Sequence, residues 1–255
     1  MIQLLVMAKA PVPGRVKTRL CPPCTPQTAA AIAAAALADT LRTAIGVPAV
    51  RRTLVLDGDH PVPLGWACVP QRGTGLGERL AAAFADTALP GVPSLLIGMD
   101  TPQLTGRMLR DAAAQLCRTP AVLGPADDGG WWALGLHDAT HAAVLPQVPM
   151  STATTGEHTL AALHGRGLRP ALLPRLRDVD TAADAVTVAA ACPPGARFPA
   201  AVARWLPAGN TGKPPAVVAR PMTGGRTGKP PAAATLPMTS TNAGKPPSMA
   251  GGETL

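Results

Sequence analysis

Two apolar runs constrain this chain more than anything else in it. "IQLLVMA" (Ile2–Ala8) and "PSLLIGMD" (Pro93–Asp100) are continuous rather than alternating. A strand of that kind is buried on both faces, which points to a parallel sheet covered by helices. The stretches between and after them supply the helices. Thr25 and Pro26 form an N-cap and first-turn pair for a helix running to Ile45, which Gly46 stops. Further strands are expected at Arg52–Asp57, Trp66–Pro70, Pro120–Ala126, Trp131–Leu136 and Pro170–Leu176. Helices are expected at Leu76–Leu89, Gly106–Cys117, Glu157–His164, Ala182–Ala191 and Pro199–Leu206. Strands alternating with helices give βαβ units, hence an α/β, Rossmann-like, mostly parallel sheet with helices on both faces. In such sheets ligands bind beyond the carboxyl ends of the strands.

The pattern stops near residue 206. From Pro207 to Leu255 the sequence is dominated by Pro, Gly, Thr and Ala, and "GKPP" recurs at Gly212, Gly228 and Gly244. A segment of this composition buries too little apolar surface to offset its ordering entropy, so residues 207–255 are expected to form a disordered tail. Residues 1–206 remain for one domain with a full core.

Charge and cysteine content exclude several classes. The formal net charge of +8 divides equally between residues 1–206 and the tail. With no Tyr and two Phe there is no aromatic platform for single strands, which argues against a nucleic-acid partner. Five cysteines, an odd number, argue against a disulfide framework. "CPPC" (Cys21–Cys24) has redox or zinc spacing, but no second Cys or His pair completes a metal site. The start "MIQLLVMA" lacks a basic region and a long apolar run, and "AAAIAAAALA" is short for a membrane span. These features predict a cytoplasmic protein without a membrane span.

Five stretches carry chemistry. "MAKAPVPGRVKTRL" (Met7–Leu20) holds the only two lysines before residue 207, Lys9 and Lys17, together with Arg15 and Arg19. Pro11, Pro13 and Gly14 shape it as a loop leaving the first strand, and four cations near a helix N-terminus suit a di- or triphosphate. It is not a Walker loop, which needs G-x-x-x-x-G-K-[ST]. In "IGMDTPQL" Asp100 ends a buried strand, placed to hold Mg²⁺ against phosphate oxygens or to satisfy turn N–H groups. In "RDVDTAAD" (Arg177–Asp184) Asp178 and Asp180 share a face of extended chain, while Thr181 and Asp184 have capping-box spacing. "GPADDGGWWALGL" (Gly124–Leu136) places Gly129 and Gly130 either in a hairpin turn or in a ligand-facing loop. "QRGTGLGERL" (Gln71–Leu80) brings Gly75 and Gly77 into a helix start without matching the dinucleotide fingerprint. None of the five histidines stands beside a nucleophile elbow.

Taken in order, "MAKAPVPGRVKTRL", "GLGERL", "IGMDTPQL", "LGPADDGGWWALGL", Ser151–Thr152 and "DVDTAAD" resemble the radical-SAM/selenodomain-associated transferases, often labelled glycosyltransferases. More distantly, the set is similar to the phospholactate and molybdenum-cofactor guanylyltransferases. The resemblance spans residues 2 to 190. It implies a nucleotide-diphospho-sugar transferase fold of the GT-A type and a transferase that uses Mg²⁺ or Mn²⁺. Lys17 and Asp100 would be catalytic. Lys9, Gly14, Arg15, Arg19, Gly75, Gly77, Gly129, Gly130, Ser151 and Thr152 would contact nucleotide or phosphate, and Asp100, Asp178 and Asp180 would hold the metal. The implied partners are a nucleotide or nucleotide-sugar donor and a small-molecule acceptor. Trp131 and Trp132 stand where the family usually has tyrosine, and Met150 stands where tryptophan is common. Both departures fall in the acceptor region. Three functions are therefore expected: metal-dependent glycosyl transfer, nucleotidyl transfer with pyrophosphate release, or nucleotide binding without catalysis.

Overall fold

Strand β1 (Ile2–Lys9) has seven consecutive buried residues before Lys9 reaches solvent. In the computed structural model of the protein, which describes residues 1–206, it lies near the middle of a seven-stranded sheet. The other strands are β2 (Ala49–Asp57), β3 (Ala67–Pro70), β4 (Ser94–Gly98), β5 (Ala121–Pro125), β6 (Trp131–Leu136) and β7 (Ala171–Leu172). Their order is β3-β2-β1-β4-β6-β5-β7. All neighbours run parallel except β6, which is antiparallel to both β4 and β5. The tail expected at residues 207–255 lies outside the described residues.

Alternation along β1 sorts its side chains between two cores. Ile2, Leu4, Val6 and Ala8 face α1 (Pro26–Ile45) and α3 (Gly106–Leu116), while Leu5 and Met7 face α2 (Leu76–Thr87) and α4 (Thr155–Gly165). A third cluster joins α1 to α5 (Ala182–Ala191) and α6 (Arg197–Trp205) around Ile32, Val188 and Phe198. Helices thus cover both faces of the sheet.

Helix α1 is long and apolar enough to cross a membrane by length and composition. Ten of its residues are buried inside the protein, among them the carboxylate of Asp39. That carboxylate accepts from the backbone N–H groups of Arg197 and Phe198 at 2.9 and 2.7 Å and from Arg42 at 2.9 Å. It thereby caps α6, whose own N-cap residue, Ala196, cannot.

Several elements differ from expectation for physical reasons. β2 begins three residues early because Ala49 pairs with Ile2. β4 ends at Gly98, so Asp100 stands in the bend after the strand rather than at its last position. β7 is two residues long because Pro170 and Pro174 cannot donate to a ladder. A 3-10 helix over Ala139–Gln147, with Pro146 inside it, had no amphipathic period to reveal it.

Candidate active site

The loop after β1 is anchored by its apolar residues, which leaves its cations to the cavity. Val16 and Leu20 are buried, and between them Lys17 takes a left-handed backbone (φ 47°) before a short 3-10 turn at Thr18–Leu20. Left-handed backbone is uncommon for a residue with a Cβ and concentrates where function constrains the chain. Among the described residues only Lys17 and Ser151 (φ 58°) adopt it without being glycine. Both line one cavity of about 870 Å³ at the carboxyl ends of β1 and β4. That size lies within the range of small-molecule sites, roughly 300–1,000 Å³.

Lys17 is the hub. Its Nζ lies 2.7 Å from Asp100 Oδ1 and 3.6 Å from Asp180 Oδ1, and it donates to the Val179 carbonyl. Burial alone would lower the Lys17 pKa, but Asp100, helped by Asp180 and Asp178, more than reverses this and holds it above the usual lysine range. Arg19 pairs with the other oxygen of Asp180 at 3.0 Å. Val179 is buried and donates its N–H to the Asp100 carbonyl at 2.9 Å, which fixes the two acids beside it. Thr181 and Asp184 form a full capping box for α5, a structural role.

A third acid joins Asp178 and Asp180. Asp128, in the turn between β5 and β6, offers an oxygen such that one oxygen from each of the three lies within 4.8 Å of the others. Hard oxygen donors in this number suit Mg²⁺ or Mn²⁺. Burial, then the neighbouring charges of Asp128 and Asp180, push the Asp178 pKa up to about 6. Lys17 opposes this rise without cancelling it. Of the acids expected to hold a metal, Asp100 is paired with Lys17 and Asp180 with both Lys17 and Arg19, while Asp128 converges with Asp178 and Asp180. The sequence signal for Asp128 was the "DDGG" turn, where its neighbour Asp127 instead pairs with Arg177 at 3.1 Å.

The remaining expected residues separate into two groups. Lys9, Arg15, Gly130, Ser151 and Thr152 line the cavity with Lys17, Arg19 and the acids. Gly14, Gly75, Gly77 and Gly129 are not among its lining residues. A Cβ on Gly77 would overlap the Leu145 carbonyl, so this glycine lets α2 pack on the 3-10 helix. Gly129 (φ 87°) would likewise overlap the Ala153 carbonyl, and its own carbonyl accepts from Gly156 N–H at 2.8 Å. That contact seats the β5–β6 turn on the start of α4 and so delivers Ser151 and Thr152 to the site.

Three further lining residues were not among the expected site residues. Thr101 is 1% exposed and its hydroxyl has no partner among the described residues. Arg79 is held by Asp57 at 3.0 Å. Gln71 donates to the Ala8 carbonyl at 2.8 Å. All five cysteines are free, and Cys21 and Cys24 belong to the cluster under α1, away from the cavity.

This sheet order, with a site at its carboxyl edge, is that of the nucleotide-diphospho-sugar transferase fold. The structure matches that of a Desulfovibrio desulfuricans G20 protein described provisionally as a nucleotide-diphospho-sugar transferase, with a TM-score of 0.66 and 28% identity over 72% of this chain and 85% of that one. It also matches Rv0371c of Mycobacterium tuberculosis H37Rv in complex with manganese, with a TM-score of 0.50 and 21% identity over 73% of this chain and 96% of that one. In sequence, residues 31–152 match the family described as "uncharacterized protein conserved in bacteria (DUF2064)". No curated protein matches the chain.

Proposed function

We propose that the protein is a metal-dependent transferase that binds a nucleotide-sugar and passes its glycosyl group to a small-molecule acceptor. One observation carries this reading: a cation-rich loop and three convergent carboxylates open into the same cavity. Lys9, Arg15, Lys17 and Arg19 bind the donor's phosphate oxygens, with Asp100 and Asp180 holding Lys17 and Arg19 in place. Asp128, Asp178 and Asp180 would hold Mg²⁺ or Mn²⁺, which supplies charge neutralisation of the phosphates. The acceptor hydroxyl oxygen forms a bond to the anomeric carbon as the carbon–oxygen bond to phosphate breaks. The electron pair leaves on the nucleoside diphosphate, and the hydroxyl proton passes to water. Cations preorganised around the leaving oxygens stabilise charge as it develops; one such contact is worth ~2.7–4 kcal/mol. The free cysteines fit a cytoplasmic setting.

Nucleotidyl transfer is the second reading, favoured by the number of cations in the cavity, more than a diphosphate needs. The test incubates the full chain and Mn²⁺ with a panel of nucleotide-sugars or of nucleoside triphosphates. Release of nucleoside diphosphate from a nucleotide-sugar supports glycosyl transfer. Pyrophosphate from a triphosphate supports the second reading. Binding without turnover of either leaves a non-catalytic nucleotide-binding protein.

A further inference from the structure

The cavity is electrically lopsided. Its positive side chains come from β1 and the loop after it, with Arg79 of α2 already paired to Asp57. At the other end lie Trp131, Met150, Ser151, Thr152 and Thr155, and among the described residues no Lys, Arg or His lines that end. Sheet order sets the separation. β6 is two strands from β1 across β4, so Trp131 stands ~10 Å along the edge from the end of β1, at about 4.8 Å per strand. The carboxylates of Asp100, Asp128, Asp178 and Asp180 belong to the same cavity.

We infer that the β6–α4 end is the acceptor subsite and that it takes an uncharged, hydroxyl-bearing ring, a sugar glycoside, and not a phosphorylated acceptor. The inference rests on the donor reading above. A phosphate seated beside Trp131 would find no Lys, Arg or His at that end to offset its charge, and the metal that the carboxylates would hold is engaged by the donor phosphates. The loop cations are engaged by the donor and by Asp100 and Asp180. A neutral ring meets no such opposition. Trp131 is fixed for the purpose, because its Nε1 donates to Thr159 Oγ1 at 3.2 Å and Thr159 in turn donates to the Thr155 carbonyl at 2.8 Å. Its ring offers an apolar surface to the C–H face of a sugar, while the Ser151 and Thr152 hydroxyls are available to the sugar's edge. Trp132, by contrast, is 3% exposed, packed over Gly124 and bonded to the Pro174 carbonyl, so it belongs to the core.

The experiment uses saturation-transfer NMR on the full chain with diamagnetic Mg²⁺ and whichever nucleoside diphosphate gives the largest thermal shift. The probes are the 4-nitrophenyl glycosides of glucose, galactose and mannose, set against the three sugar 1-phosphates. At least one glycoside is expected to bind, with affinity about tenfold weaker in Trp131→Ala and largely restored in Trp131→Phe. The 1-phosphates are expected to show no binding that depends on Trp131. Binding of a 1-phosphate that Trp131→Ala abolishes would overturn the inference. So would failure of every glycoside, or glycoside binding indifferent to Trp131→Ala. The nucleoside diphosphate shift, measured separately in the parent and in Trp131→Ala, reads the donor site alone. Its absence in the parent would overturn the donor reading, and its survival in the variant shows that Trp131→Ala has folded.

Discussion

Lys17 and Asp100 close an ion pair of 2.7 Å between the loop after β1 and the bend after β4. The two neighbouring central strands are thus joined by charge at the edge where the cavity opens. The lysine is 9% exposed and the carboxylate 46%, so the pair presents its acid to solvent and its cation inward. The ammonium group is thus already oriented and largely stripped of water, a preorganised arrangement.

Lys17→Ala is expected to lower turnover about 100-fold or more while the fold survives. Initial rates beside a circular dichroism spectrum check this. A rate near that of the parent would remove Lys17 from the mechanism. Lys17→Arg should not rescue activity, since a planar guanidinium does not fit a hub built for a point charge.

Removal of single carboxylates should separate the metal trio from its neighbours. Asp128→Asn and Asp178→Asn are expected to abolish most of the thermal stabilisation that Mn²⁺ gives the parent. Asp127→Asn, one residue away but paired with Arg177, should keep it. A ligand at a hundred times its Kd adds about 2.7 kcal/mol, which a melting curve resolves. Equal responses from Asp127→Asn and Asp128→Asn would refute the assignment.

Asp178 gives the site a pH signature. Its pKa is raised from 3.8 to about 6 by burial and by Asp128 and Asp180, with Lys17 opposing. The folded protein therefore binds more protons than the unfolded chain between these values. The associated stabilisation is present below pH 3.8 and is lost as pH rises through about 6. A divalent cation competes for the same deprotonated carboxylate, so the Mn²⁺-induced shift should grow as pH rises through that value. Melting curves from pH 4 to 8, with and without Mn²⁺, test both slopes, and Asp178→Asn should flatten them.

Asp39→Ala should cost stability without touching chemistry. It strands the Arg197 and Phe198 N–H groups at the start of α6, at about 2–4 kcal/mol for the pair. Denaturant unfolding measures the loss, and the rate per folded molecule should be unchanged. A fall in that rate would mean α6 communicates with the cavity.

Sequence reasoning reached the sheet because β1 and β4 are apolar throughout, and it put Asp178 and Asp180 on one face because they alternate across one residue of extended chain. It named Asp100 as the third acid and gave neither Asp127 nor Asp128 a role; the two are told apart by Arg177, fifty positions after Asp127, which pairs with it. Gly129 read as either a hairpin turn or a ligand-facing loop, and Gly77 had a ligand role only through the resemblance; in the structure each lets backbone approach backbone, and spacing does not distinguish the two demands. The left-handed turn at Lys17 was equally hidden, since it is imposed by Val16 and Leu20 finding the core on either side. The 3-10 helix at Ala139–Gln147 has no period that a pattern could detect.

The reversal of β6 divides the surface of the molecule by tolerance to change. Its first residue, Trp131, stands at the ligand edge, while its last, Leu136, exits at the opposite edge, where His137 is exposed. Attachments to the exposed side chain of His137 therefore do not reach the cavity, whereas Asp138 is held as the cap of the 3-10 helix by its bonds to Thr140. Two residues added at the β5–β6 turn would instead unseat Gly129 from Ala153 and move an acid of the trio. A fluorophore or affinity handle belongs at the first of these places, and a library meant to alter acceptor choice belongs at the second.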